Sequence, residues 1–161
     1  MEQLIALIWN IADDVLRDVF LRGQYRDVIL PMVVLRRLDA LLEPTKEAVE
    51  QEYKSQIEAG LADNIDEEAL KDESKQTYYN ISKWTLNRLK NQSSDNNDIN
   101  YANFIEYLNG YSENVKDVLK NFEFYAKVKK LADNDRLTSI IERITDPRLN
   151  LTDRPAIDPD G

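Results

Sequence analysis

The 161-residue sequence predicts an all-α fold of about seven to nine helices followed by an extended C-terminal linker. Apolar residues recur at steps of three and four along most of the chain. No stretch of useful length alternates apolar with polar residues, as a half-buried strand would. Glycines and prolines fall between the periodic segments, where helices stop and turns begin.

The first helix is expected from about Glu2 to Arg22. Leu4, Ile8, Ile11, Val15 and Val19 form its stripe, and Gly23 is in place to end it. A second helix, from about Gln24 to Leu42, is apolar on most sides and should be the central, most buried one, with Val34 in the core. Pro31 lies within it, so a kink or a fresh start is expected there. Ala48, Val49, Tyr53 and Ile57 make a thin stripe closed by Gly60, and Asp66 is placed to cap a helix opening with Glu67 and Glu68. Ser82 is expected to cap a short helix holding Trp84, Leu86 and Leu89. Residues 92–100, rich in Ser, Asn and Asp, read as a loop. A helix from about Tyr101 should end at Gly110. The next, capped by Ser112 with Val115, Leu119, Phe122 and Ala126 on one face, should break near Glu123. Leu137, Ile140, Ile141 and Ile144 mark a last helix ending before Pro147. The division is a helical domain over 1–146 and a linker over 147–161, a segment with three prolines and no helical stripe.

A chain of this length can bury roughly 70% of the surface its unfolded form exposes. It has no Cys and no His, which excludes disulfides, thiolate nucleophiles, imidazole bases and zinc sites built from these residues. No secretory signal is visible in the sequence, and no apolar run in it approaches the roughly 20 residues that span a bilayer. A cytoplasmic protein with no membrane partner is expected.

The net charge of −9 is unevenly spread. Residues 1–42 hold 5 basic and 6 acidic residues, 43–80 hold 4 and 11, and 81–161 hold 12 and 13. The excess sits in the middle, so the whole chain is not an electrostatic DNA binder, while a local basic patch remains open in the outer thirds. The candidate patch is Arg22, Arg26, Arg36 and Arg37. It can contact phosphates or an acidic partner; the commoner arrangement is a pairing along the helix, such as Arg36 with Asp39.

No catalytic, cofactor-binding or metal-binding residues are identified. The four glycines are far apart and no Pro-Pro occurs, so neither a phosphate-cradling turn nor a base-pocket loop can be built. Asp63, Asp66, Glu67 and Glu68 lack the turn glycine a calcium loop needs and read as a solvated helix start. Tyr78, Tyr79 and Trp84 lie among Lys75, Lys83, Arg88 and Lys90. Such rings can stack bases, but core aromatics beside surface charges are the commoner case.

Two segments are more distinctive than their parts: Ile8-Trp9-Asn10-Ile11-Ala12-Asp13, and the run from Tyr25-Arg26-Asp27-Val28-Ile29-Leu30-Pro31 to Lys46. With Asn121-Phe122-Glu123-Phe124 and Asp146-Pro147…Asn150-Leu151 they resemble the N-terminal helical domain of the DNA-modification (M) subunit of type I restriction–modification systems. The resemblance spans essentially the whole chain. It implies a parent that methylates adenine at N6 with S-adenosylmethionine, in which this domain precedes the methyltransferase domain. The chain is then expected to stop at Gly161, short of that domain. The implied partners are a specificity (S) subunit, a second M subunit, a restriction (R) subunit and DNA in the assembled complex. The implied role is a non-catalytic assembly and DNA-clamping module. Two alternatives stand beside it: an acidic DNA mimic, and a free-standing helical interaction domain.

Overall fold

A computed structural model describes residues 2–149. Nine α-helices and three short 3-10 turns follow one another among them, with one isolated bridge, between Asn80 and Tyr111, as the only strand-like pairing. The helices are α1 (Glu2–Leu16), α2 (Tyr25–Leu42), α3 (Lys46–Glu58), α4 (Glu67–Ser74), α5 (Leu86–Asn91), α6 (Asn97–Asn109), α7 (Glu113–Asn121), α8 (Phe124–Asp133) and α9 (Leu137–Ile144). The fold is all-α, as the periodicity predicts.

One main core draws on α1, α2 and α5 to α9. Ile11, Val28, Met32, Leu35, Phe104, Phe124, Leu131 and Ile140 are closed to solvent within it. Burial of that much aliphatic and aromatic surface is the main force holding the helices together. A smaller cluster of Val49, Leu70 and Tyr79 joins α3 to α4, so the acidic 43–80 segment forms its own satellite on the bundle. Gln56 fixes its turn: Nε2 donates to the Asp66 carbonyl at 3.1 Å, and the Asp66 amide donates to Oε1 at 2.7 Å.

Several boundaries differ from expectation for identifiable reasons. α1 ends at Leu16, six residues before the predicted stop. Asp18 takes the left-handed conformation (φ 67°), and the Val19 and Phe20 amides both donate to the Leu16 carbonyl. Phe20, in this turn, is buried. Gly23 lies instead in the 3-10 turn Arg22–Gln24. α2 runs through Pro31 without a fresh start; the ring forfeits one donor and sits buried among apolar neighbours. Thr85, not Ser82, caps α5, its hydroxyl accepting from the Arg88 amide at 3.0 Å. The 92–100 loop is shorter than predicted, because Asn96 accepts from the Asp98 and Ile99 amides and opens α6 at Asn97. Gly60, Asp66 and Glu123 behave as predicted, at a positive-φ stop, at an N-cap and at a left-handed break.

Val34 is the largest departure. It is 41% exposed, as is Leu30 at 37%, so α2 is not apolar-buried on every side. Val28, Ile29, Met32, Leu35 and Leu42 carry its core face. At the other end, Pro147–Leu149 form a 3-10 turn packed on α2 with Leu149 fully buried, so the folded unit reaches past the predicted 146 boundary. Residues 150–161 of the predicted linker lie outside the described residues.

Candidate nucleic-acid interface

The four arginines proposed from sequence do not form one surface. Arg22 and Arg26 are exposed on the turn into α2 and its first turn, Arg37 is half-buried, and Arg36 is 4% exposed. Arg36 is one helical turn before Asp39, yet no ion pair closes between them; its Nε has no hydrogen-bond partner among the described residues. Its burial belongs to the inner face of α2, not to an open patch.

That inner face carries a polar network. Asp39 Oδ1 accepts from the Leu86 amide and the Tyr107 hydroxyl, both at 3.0 Å, and the Tyr107 and Tyr111 hydroxyls are 2.6 Å apart. One carboxylate thus ties α2 to the start of α5 and to α6. Burial raises the Asp39 pKa from 3.8 to about 6, against the lowering effect of those two hydrogen bonds. Burial likewise pushes the Tyr107 and Tyr111 hydroxyls well above the usual phenol value. Nearby, Lys46 Nζ donates to the Asn80 carbonyl at 3.1 Å and the Ser82 carbonyl at 2.5 Å, and burial lowers its pKa to about 8. These groups are inward and structural.

Chain turns bring together cations that sequence reading kept apart. Lys130 of α8 lies over the Phe20 ring at 4.6 Å, which places it beside Arg17 and Arg22 around an open cleft of about 530 Å³. Phe20 is the link: it follows the apolar spacing of α1, but its contact with Lys130 joins residues far apart in the chain and leaves no local signal in the sequence. Leu21, in the same cleft, is 74% exposed, the highest value of any large apolar residue described.

The aromatic–cation stretch does not present rings to bases. Tyr78, Tyr79 and Trp84 are all buried, and Lys83 covers the Trp84 ring at 5.0 Å. Exposed apolar side chains lie elsewhere: Ile5 and Trp9 one turn apart on α1, Leu30 and Val34 one turn apart on α2, and these two helices pack on each other. The sequence placed Trp9 in a distinctive motif but carried no signal that it faces outward.

Among the described residues, no group of three or more carboxylates is arranged to hold a metal, and no helix is long and apolar enough to cross a membrane. S-adenosylmethionine does not fit this part of the molecule. Its binding needs a glycine turn that lets backbone approach the nucleoside. Gly110 is instead filled by Asn80 and Ser82, while Gly23 and Gly60 lie in separate exposed turns.

No curated protein and no solved structure matches the chain. Residues 4–144, nearly all of the helical unit described above, match the family model of the HsdM N-terminal domain. The chain therefore belongs to the HsdM N-terminal domain family, the N-terminal domains of the methyltransferase subunits of type I restriction–modification systems.

Proposed function

We propose that this domain is a non-catalytic assembly and DNA-clamping module of an S-adenosylmethionine-dependent adenine-N6 DNA methyltransferase, acting with a specificity subunit, a second methyltransferase subunit and a restriction subunit. The observation that carries the reading is the family match, which covers the folded unit from Leu4 to Ile144. Two features of the surface support it. Ile5 and Trp9 on α1, with Leu30 and Val34 on α2, give partly exposed apolar area of the kind protein interfaces use, with Trp among the residues that most often anchor them. Arg22 and Arg26 are exposed and enter no ion pair among the described residues, which leaves them available to phosphates. The same arginines weigh against an acidic DNA mimic, whose acids would have to run over a long surface; here the acidic excess is confined to the α3–α4 satellite and its flanks.

The test is removal of residues 1–149 from the parent methyltransferase. Complex formation with the specificity subunit and affinity for duplex DNA should both fall, while the remaining domain keeps its S-adenosylmethionine binding. Unchanged assembly and unchanged DNA affinity would overturn the proposal.

A further inference from the structure

Among the described residues, Arg17, Arg22 and Lys130 enter no ion pair, in a chain whose acids outnumber its bases by 30 to 21. All three are exposed and line one cleft, where Asp18 is the single opposing carboxylate. The acids Asp27 and Glu123 line an adjoining hollow with Lys127, which shares Phe20, Gln24 and Lys130 with the cleft. The cleft is a built surface. The Gln24 side chain accepts from the Leu21 amide at 3.0 Å, the Gln24 amide donates to the Leu21 carbonyl at 2.8 Å, and Phe20 anchors the turn in the core beneath Lys130.

We infer that the cleft between the 17–24 turn and Lys130 is the phosphate-contacting site of this domain, taking the backbone of duplex DNA on Arg17, Arg22 and Lys130. This rests on the DNA-clamping reading above and gives it a location. Unpaired cations around a shared concavity concentrate positive potential locally, and contacts within a Debye length of roughly 10 Å answer to that local field more than to the net charge. Arginine suits the role because its planar fork can hold two phosphate oxygens at once. Leu21 stands between the cations and offers apolar contact to deoxyribose, which adds affinity without adding to salt dependence. Arg17 and Lys130 extend the site beyond the residues that the sequence alone singles out.

The experiment maps backbone amide shifts of the whole 161-residue chain on titration with a short DNA duplex, at about 20 mM and roughly 200 mM salt, beside a polyglutamate control. Shifts confined to residues 17–26 and 127–130 are expected. Three phosphates imply a roughly 500-fold loss of affinity over that tenfold rise in salt. Arg17→Ala/Arg22→Ala/Lys130→Ala should abolish the shifts. Leu21→Ser should weaken binding with an unchanged salt slope. No shifts, shifts centred elsewhere, or equal shifts with polyglutamate would overturn the inference, and the wild-type map decides this even if the triple variant fails to fold. Because the titration needs no other subunit, a missing site here is distinct from a parent that loses neither assembly nor affinity when the domain is removed.

Discussion

At the scale of single residues, the consequential feature is a carboxylate held inside the molecule. Asp39 is nearly closed to solvent, with Oδ1 accepting two hydrogen bonds and Oδ2 none among the described residues. Its folded pKa of about 6 exceeds the ordinary 3.8. The folded state therefore holds this proton more tightly than the unfolded one. The group costs nothing below about pH 4, and its penalty grows as pH rises, reaching about 3 kcal/mol above pH 6. Lys46 has the opposite sign: with its pKa lowered to about 8, its penalty is absent above about 10.5 and complete below 8. Asp39→Asn keeps an oxygen for Leu86 and Tyr107 but cannot ionise. Denaturant unfolding followed from pH 4 to 6.5 should lose the Asp39 share of its slope in this variant. Gly110 gives a steric test. A Cβ there would lie 2.6 Å from Asn80 Oδ1, 2.7 Å from Ser82 Cβ and 2.8 Å from the Ser82 amide nitrogen. Gly110→Ala should cost about 1–3 kcal/mol by overpacking, while Gly23→Ala, with nothing within 4 Å, should melt close to the wild type.

At the scale of elements, α2 shows what a sequence can and cannot announce. Its length, its place against the core and its end at Leu42 were legible because ten apolar residues crowd one segment. Which of those residues face outward was not, since an all-round apolar pattern carries no phase: Val34 and Leu35 are both β-branched or branched aliphatics, one 41% exposed and the other fully buried. Arg36 and Asp39 are buried on the same helix, against the usual preference of charge for water. The end of α1 is not legible in the sequence because Gly23 is the stronger terminator by residue type, whereas the chain leaves the helix at Asp18, a non-glycine residue in the left-handed conformation. Caps at Asp66 and the break at Glu123 were legible because they are local. Val34→Asp now separates the two faces. It should shift stability by no more than about 0.5 kcal/mol, whereas Leu35→Asp should unfold the domain by placing an unpaired charge in the core. If the α1–α2 face joins another subunit, Val34→Asp should also weaken copurification with the specificity subunit while melting normally.

At the scale of the whole molecule, a charge of −9 is compatible with the proposed DNA-facing role because the acidic excess is concentrated in residues 43–80. The acidic excess lies on and around the α3–α4 satellite, and the cleft of Arg17, Arg22 and Lys130 lies at the turn joining α1 to α2. Isolated, the domain should hold DNA weakly; in an assembly, contacts of this kind count through effective concentration. The family was legible from the ordered motifs, but the site was only half legible. Arg22 is among the residues singled out from sequence, whereas Lys130 reaches the cleft from α8, over the Phe20 ring. The most direct measurement is the salt dependence of DNA affinity of the assembled methyltransferase. With Arg17→Ala/Arg22→Ala, the log–log slope should flatten by up to about two units. With Arg36→Ala, a residue buried at 4% exposure, the slope should hold while the thermal midpoint falls. An unchanged slope for Arg17→Ala/Arg22→Ala in an intact complex, or a flattened one for Arg36→Ala, would contradict the account.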